Sequence, residues 1–277
     1  IKVQDGCDRF CSYCIIPYAR GRVRSRKNES VINEVKAVAQ NGIKEVVITG
    51  IHIASYGKDF KEDYKLIDLL EDINKIEGVE RIRLGSIEPP LITDEFVKRL
   101  SKLEKICHHF HLSLQSGCNE TLKRMNRRYT VEEFYGVVER LRNAYQDVIV
   151  GFPVETDEEF KKTYEFLKQI KFYKMHVFPY SIRKGTKAAQ MPNQIDGAEK
   201  EKRSKKLIEL SNQNQREYNQ GYVGKIVEVL FEENSKGHTA NYILVKTSEK
   251  ENLENKIAKV KITKFEEEYL NGIIIDK

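Results

Sequence analysis

The feature that most constrains the fold is a sixfold alternation of short apolar stretches with segments of helical period, which runs to about Tyr180. The apolar stretches predict strands at residues 1–4, 45–49, 81–84, 109–114, 147–150 and 174–178. The segments between them repeat apolar residues at spacings of three and four, as at Phe134, Val137, Val138 and Leu141. Six consecutive strand–helix units predict an α/β fold, a parallel sheet curved into a partial (β/α)6 barrel of the TIM type.

The last third of the chain has a different pattern. Residues 193–220 are polar and charged with one apolar stripe, which predicts a connecting helix that packs on the barrel. After Gly221 apolar residues recur with a period of two, which predicts several short strands in a small antiparallel all-β barrel. We therefore expect an α/β core at residues 1–192, a helix at 193–220 and a β-barrel domain at 221–277.

Three of the five cysteines form a CxxxCxxC motif, Cys7, Cys11 and Cys14, directly after the first predicted strand. The loops that follow the strands of a βα barrel carry its chemistry. Three thiolates can hold three irons of a [4Fe–4S] cluster and leave the fourth iron without a protein ligand, unlike the four-cysteine clusters of electron-transfer proteins. An open metal position is what a reacting ligand needs.

A structural zinc site and three unrelated buried thiols are the alternatives for these cysteines. Zinc sites usually show a second pair of ligands at short spacing, and Cys107-His108-His109 lies several strand–helix units away. An odd number of cysteines with one tight cluster favours metal ligation in a reducing cytoplasm over a disulfide framework.

The charge balance is mildly basic. The chain has 48 Lys and Arg against 42 Asp and Glu, a net charge of +6, which is compatible with a nucleic-acid partner without establishing one. Five basic residues follow the cysteine motif at close spacing: Arg20, Arg22, Arg24, Arg26 and Lys27. They can track phosphates on an extended segment, and a solvated charge run is an equally good interpretation. No apolar stretch reaches the length of a membrane span, so we expect no membrane partner, and the cysteine pattern predicts a cytoplasmic location.

The N-terminal segment IKVQDGCDRFCSYCIIPYARGRVRSR resembles the cluster segment of the methylthiotransferases, a radical S-adenosylmethionine (SAM) family. Further similar stretches are ITG at 48–50, GSIEPP at 85–90, HLSLQSG at 111–117, MNRRYT at 125–130, DVIVGFP at 147–153 and HVFPYS at 176–181. The stretches YARGRVRSR and RKGT are most similar to the subgroup that modifies threonylcarbamoyladenosine in tRNA. The C-terminal part resembles the TRAM domain, a small RNA-binding β-barrel.

The resemblance implies an enzyme that adds a methylthio group to C2 of N6-threonylcarbamoyladenosine beside the tRNA anticodon. Its cluster would cleave SAM to a 5′-deoxyadenosyl radical, which suits a C2–H bond that ordinary acid–base chemistry does not activate. The implied partners are tRNA, SAM, a sulfur donor and a reductant such as flavodoxin or ferredoxin. Alternative substrates are isopentenyladenosine and a ribosomal-protein side chain, and an RNA-binding iron–sulfur protein without turnover is an alternative of another class.

Two departures from the family pattern concern missing residues. The family has an N-terminal domain with three more cysteines for a second [4Fe–4S] cluster, and the spacing of Cys107 and Cys118 does not replace them. Because the chain starts at Ile1 inside a predicted strand, we expect that this domain is absent and that this chain alone does not complete the reaction. The link at residues 143–146 is also shorter than the family's, which suggests that loop residues are missing there.

The resemblance also implies which residues contact SAM. They are Tyr13, Thr49, Gly50, Gln115, Arg128, Ile149 and Gly151. The turn at Gly50 would receive the amino group, Gln115 the ribose and Arg128 the carboxylate of SAM. A solvated charge is an equally good interpretation of Arg128, and a plain core strand of the segment that contains Ile149.

Alternating residues predict the direction of side chains in two strands. His109, His111, Ser113 and Gln115 are expected to face the barrel lumen, where ordinary packing is the favoured role of both histidines. Arg83 is either a lumen charge or a surface residue, depending on the phase of its strand.

The TRAM-like part carries basic residues interleaved with an aromatic residue. They are Lys225, Lys236, His238, Tyr242, Lys246 and Lys264. Lys225 and Lys246 are expected to contact RNA, although a solubilising surface would have the same composition.

Overall fold

Six parallel strands form the larger unit of the computed structural model, which describes residues 1–142, 148–150, 155–248 and 252–276, without the side chains of 142 and 148–150. The strands of the first sheet are β1 (Lys2–Asp5), β2 (Arg24–Ser25), β3 (Glu45–Gly50) and β4 (Arg81–Leu84), in the order β2-β1-β3-β4. A second sheet contains β5 (Leu112–Gln115), β6 (Val148–Val150) and β7 (Met175–Val177). Except for the antiparallel β2, all of these strands pair in parallel.

Two isolated parallel bridges, Ile82–Ile106 and Ile87–Leu112, connect β4 with β5 and so join the two sheets. The order β1-β3-β4-β5-β6-β7 is that of the predicted open barrel. Five predicted strands agree with the observed ones to within a residue or so, and β5 begins three residues later than predicted. The link at residues 143–146 lies outside the described residues.

Helices cover the outer face of this sheet, and one longer helix follows it. They are α1 (Ile16–Arg20), α2 (Asn28–Gln40), α3 (Leu66–Asn74), α4 (Asp94–Leu100), α5 (Asn119–Arg124), α6 (Val131–Arg142), α7 (Asp157–Ile170) and α8 (Gly197–Gln220). Reciprocal hydrogen bonds join Thr130 with Glu133 and Thr156 with Glu159, so both predicted capping boxes are confirmed. No helix of the described residues is long and apolar enough to cross a membrane.

The two faces of the sheet differ in polarity. Ile48 of β3 and Ile82 of β4 are buried beneath the helices. Phe110, Leu112 and Leu114 are also fully buried, which confirms the predicted alternation around β5. The opposite face therefore lines a polar lumen, and there the rings of His111 and His176 lie 5.3 Å apart.

The C-terminal strands close into a separate small barrel in the order β10-β12-β11-β8-β9. They are β8 (Ile226–Glu233), β9 (Lys236–Thr239), β10 (Leu244–Thr247), β11 (Ile257–Phe265) and β12 (Leu270–Asp276). The prediction of a purely antiparallel barrel is wrong at one pair, because β10 and β12 run parallel where the sheet closes on itself. At Gly272 a Cβ would lie 2.3 Å from a methyl carbon of Val260, so only glycine fits there.

Two buried arginines dock the small barrel on the larger one. Arg81 donates hydrogen bonds to the carbonyl oxygens of His238 (2.9 Å) and Glu228 (3.1 Å). Arg83 donates to the carbonyl of Ala240 at 3.2 Å. Both arginines lie on β4, whose amino end starts opposite Glu45 of β3. The small barrel therefore covers the amino-terminal end of the open barrel, opposite the end that carries the cysteine loop.

Arg83 also forms a buried ion pair and an aromatic contact. Its guanidinium donates to both carboxylate oxygens of Glu45 at 2.7 and 3.1 Å, and it lies 4.7 Å from the ring centroid of Tyr242. Arg83 is thus a charge buried between the two units. Of the two roles that the sequence left open, the surface residue is excluded.

Replacing Arg83 by methionine tests the importance of this docking. The change leaves the Glu45 carboxylate buried without its partner, so we expect the free energy of unfolding to fall by about 3 kcal/mol in denaturant titrations followed by circular dichroism. Arg140→Met is the matched control, because Arg140 is 40% exposed and its partner Asp94 is 86% exposed. That variant should lose less than about 1 kcal/mol. Equal losses in the two variants would show that the buried pair does not stabilise the docked state.

Candidate cluster and cofactor site

The cysteine loop connects β1 to α1 and is fixed by main-chain hydrogen bonds at both of its sides. The amide of Cys7 donates to the carbonyl of Gly21 at 3.1 Å, and the amide of Ser12 donates to the carbonyl of Met125 at 3.0 Å. Gly6 precedes the motif with φ +68°, and a Cβ there would lie 1.8 Å from the carbonyl oxygen of Arg22. A glycine is therefore required where the chain enters the loop.

The three cysteines of the loop are free thiols, two buried and one half-buried. Burial raises the pKa of the Cys7 and Cys14 thiols, a preference that a bound metal reverses because it coordinates the thiolate.

The spacing of the loop sulfurs bears on whether they would hold one zinc ion or a cluster. Three thiolates on one zinc, each about 2.3 Å from the metal in tetrahedral geometry, lie about 3.8 Å apart. Among the described residues, the one trio of possible ligands whose atoms all lie within 4.8 Å is Cys118, Glu120 and Glu159. In the same described part of the chain the three loop sulfurs do not form such a trio, and their assignment to a cluster stays a prediction from the CxxxCxxC spacing.

Arg127 is the basic residue that the fold brings to this loop. Its guanidinium is buried and donates to the Cys11 sulfur at 3.3 Å and to the carbonyl of Ser113 at 3.3 Å. Arg128, the predicted carboxylate ligand of SAM, is exposed instead. Asn126, immediately before the two arginines, adopts a left-handed conformation with φ +59°. Counting along the sequence could not have shown which of the two arginines is buried.

Glu88 is the buried acid of the site, with a side chain only 5% exposed. It lies 2.5 Å from Arg9 of the cysteine loop, 2.8 Å from the His52 ring and 3.2 Å from Arg127. Burial opposes its ionisation, but the His52 hydrogen bond and the charge of Arg127 outweigh burial and lower the pKa of Glu88 to about 2. The carboxylate is therefore ionised at neutral pH.

The GSIEPP stretch contains Glu88, but the sequence pattern predicted no role for Glu88, Arg9 or His52. The positions of two of these residues would have indicated a role in the site. Glu88 and His52 each follow a buried strand, at the end where barrel loops carry chemistry.

The predicted SAM residues at the ends of the strands differ in their exposure to solvent. Thr49 is exposed at the end of β3. A Cβ on Gly50 would lie 2.8 Å from the carbonyl oxygen of Gln4, so this glycine permits close approach of β1. The close packing of β1 is enough to require glycine at this position, and the predicted contact of Gly50 with SAM stays a prediction. Gln115 ends β5 half-buried with φ +74°.

The remaining predicted SAM contacts are Tyr13, Ile149 and Gly151, and the structure describes the side chain of Tyr13 alone among them. Tyr13 packs against the main core, and burial raises its pKa. Ile149 lies on β6, but its side chain and all of Gly151 lie outside the described residues.

The basic segment after the loop does not present all five of its charges to solvent. Arg26 bonds to Glu34 at 2.6 Å and to the carbonyl of Lys2 at 3.0 Å, and Arg24 donates to the carbonyl of Arg20 at 2.8 Å. Four of the predicted RNA-binding residues are exposed, namely Arg20, Arg22, Arg24 and Lys27, and Arg26 is half-buried. They lie beside the cysteine loop.

The predicted RNA-binding residues of the small barrel lie against aromatic rings. Lys225 is exposed with its ammonium 5.0 Å from the centroid of Tyr222. Lys246 is half-buried, 3.5 Å from the centroid of Tyr269.

A model of the radical SAM superfamily matches residues 1–167, which include the cysteine loop and the strands around it. The chain belongs to the radical SAM superfamily. Its fold agrees with that of two solved superfamily members. These are the methyltransferase TsrM from Kitasatospora setae (TM-score 0.58, 19% identity, 68% of this chain and 38% of that one) and coproporphyrinogen III oxidase HemN from Escherichia coli (0.54, 14%, 77% and 51%).

Curated relatives within the superfamily are more similar in sequence. The chain is 45% identical to threonylcarbamoyladenosine tRNA methylthiotransferase MtaB of Bacillus subtilis over 98% of this chain and 64% of that protein. It is 44% identical to MtaB of Aquifex aeolicus, over 89% and 61%. It is 40% identical to tRNA-2-methylthio-N(6)-dimethylallyladenosine synthase of Alkaliphilus oremlandii, over 100% and 62%. The chain thus spans about three fifths of the length of these relatives.

Single cysteine substitutions test the ligand assignment. After anaerobic reconstitution with iron and sulfide, Cys11→Ala should lose the visible charge-transfer absorbance, because a cluster with two protein ligands is not retained. Cys107→Ala is the matched control, since Cys107 is equally buried but lies near Glu45 at the amino end of the strands. An unchanged spectrum in Cys11→Ala, or loss of absorbance in both variants, would contradict the assignment.

Proposed function

We propose that the full-length protein is a methylthiotransferase that modifies C2 of N6-threonylcarbamoyladenosine beside the anticodon of tRNA. The observation that carries this proposal is the 45% identity to the Bacillus subtilis MtaB, which extends over 98% of the chain and so includes both the open barrel and the small barrel. In this proposal the small barrel is a TRAM domain that binds RNA, and the protein works in the cytoplasm.

The proposed cofactor is a [4Fe–4S] cluster on Cys7, Cys11 and Cys14, with SAM as ligand of the open iron. The donor set fits: three thiols stand on one loop, and a buried cation, Arg127, lies 3.3 Å from one of them. When bound, the cluster and SAM supply the 5′-deoxyadenosyl radical that activates the C–H bond. A second cluster, a sulfur donor and a reductant such as flavodoxin or ferredoxin belong to the proposed complete enzyme.

Charged groups beside the loop match the methionine part of SAM, which is a zwitterion. Arg127 offers guanidinium donors for the carboxylate, and Glu88 offers an ionised oxygen for the amino group. Arg127 also donates a hydrogen bond to the Cys11 sulfur at 3.3 Å, so the proposed carboxylate contact lies directly beside a proposed cluster ligand. Tyr13, Gln115 and the Thr49–Gly50 turn stand at the same end of the strands and remain the proposed contacts of the rest of SAM.

The substrate proposal is tested by mass spectrometry of tRNA nucleosides from cells that lack the full-length gene. We expect the methylthio group to disappear from threonylcarbamoyladenosine alone and to return when the gene is restored. Loss from isopentenyladenosine instead would support the activity named for the 40% identical relative. Unchanged tRNA with an altered ribosomal protein would reject the RNA substrate.

Two neighbouring arginines test the proposed SAM site. Arg127→Met should lower SAM binding and reductive formation of 5′-deoxyadenosine by roughly tenfold or more, because a charge-assisted contact is lost from a buried position. Arg128→Met should stay within about twofold, because Arg128 is exposed. The absorbance of the reconstituted cluster is measured in both variants to separate SAM binding from cluster loss. If Arg128→Met has the larger effect, the assignment to Arg127 is wrong.

A further inference from the structure

Two aromatic side chains stand exposed at the catalytic end of the open barrel. Tyr18 is 62% and Phe178 is 60% exposed, more than the other aromatic residues among the exposed large side chains of the described chain. Tyr18 lies on α1 after the cysteine loop, and Phe178 directly follows β7. A hydrogen bond of 2.8 Å from the amide of Ala188 to the carbonyl of Ser12 joins the segment after β7 to the cysteine loop. Both rings thus belong to connected segments at the same end of the strands.

Tyr18 is part of a small surface that we call the loop aromatic surface, made of Phe10, Tyr18 and Arg22. The rings of Phe10 and Tyr18 meet edge to face with centroids 5.6 Å apart, and the Arg22 guanidinium lies 5.5 Å from the Phe10 centroid. The three residues come from the loop that carries the cysteines and from its immediate continuation. Their place in the sequence therefore puts them at the edge of the cluster site.

The backbone under Phe10 is held in an unfavourable conformation. Phe10 has φ +49°, which is uncommon for a bulky residue and raises the conformational free energy of the loop. A hydrogen bond of 2.9 Å from the Asn126 side chain to the Phe10 carbonyl holds this conformation. The half-buried Phe10 ring is therefore held against Tyr18 at a cost in stability, as is common where a residue has a binding role.

We propose that the loop aromatic surface stacks an unpaired RNA base next to the nucleotide that enters the cluster site, with Phe178 as a second stacking residue. This inference rests on the proposed function, because it assumes an RNA substrate. Aromatic rings stack on any exposed base, and neighbouring arginines contact phosphates, so the combination favours single-stranded RNA over a protein side chain. A duplex hides the faces of its bases, so the surface would recognise a loop and not a stem.

The test uses the whole chain and an RNA hairpin with the tRNA anticodon loop, labelled in the loop with 2-aminopurine. Tyr18→Ala should weaken binding by roughly tenfold or more, and Tyr18→Phe should stay within about twofold of the unchanged protein. Tyr18→Leu separates stacking from simple apolar contact and should behave like Tyr18→Ala. Arg22→Gln should reduce the salt dependence of binding, whereas Tyr18→Ala should leave that dependence unchanged.

Ile208→Ala is the control, because Ile208 is an exposed apolar residue on α8, outside both the loop aromatic surface and the small barrel. Its binding should equal that of the unchanged protein. If the hairpin binds but Tyr18→Ala or Tyr18→Leu binds equally well, the stacking proposal is overturned and the RNA substrate stands. If the unchanged protein binds neither the hairpin nor the corresponding full tRNA, both the stacking proposal and the proposed substrate are overturned.

Discussion

The contacts of the buried Glu88 carboxylate are the interactions on which the cysteine-loop end of this protein depends. It follows β4 and contacts Arg9 after β1, His52 after β3 and Arg127 after β5. Four loops that are distant in sequence are therefore joined by polar and charged contacts to one carboxylate. Because an ionised group buried without partners is strongly unfavourable, these loops are fixed relative to one another before any cofactor binds. The cysteine loop takes its position from this network as well as from its own hydrogen bonds.

The other end of the strands is held by different chemistry. There Arg81 and Arg83 attach the small barrel, so the proposed RNA-binding lysines belong to a unit docked away from the cysteine loop. The six residues of β3, at about 3.3 Å each, put roughly 20 Å between the two ends. An RNA that contacts both the exposed arginines after the loop and the small barrel must therefore extend along the outside of the open barrel.

The sequence predicted most of the architecture because period and spacing are local properties. Strands, capping boxes and the cysteine loop all appear in short stretches of residues. What it missed depends on contacts between distant segments. Arg127 and Arg128 are adjacent, yet Arg127 is buried against Cys11 and Glu88 while Arg128 is exposed. Gly50 permits close approach of Gln4, 46 residues earlier in the chain, and its predicted contact with SAM stays a prediction. The docking role of Arg83 required knowing that a second unit covers β4.

The docking contacts of Arg81 and Arg83 are made to carbonyl oxygens of His238, Glu228 and Ala240. Every amino acid supplies a carbonyl, so these contacts survive substitution of the side chains around them. The hydrogen bonds of Arg81 and Arg83 therefore tolerate changes in the outer residues of the small barrel, whereas Tyr242, whose ring lies 4.7 Å from the Arg83 guanidinium, contributes through its side chain. Related proteins with other residues on that outer surface would keep the same relative placement of the two units through these carbonyl contacts.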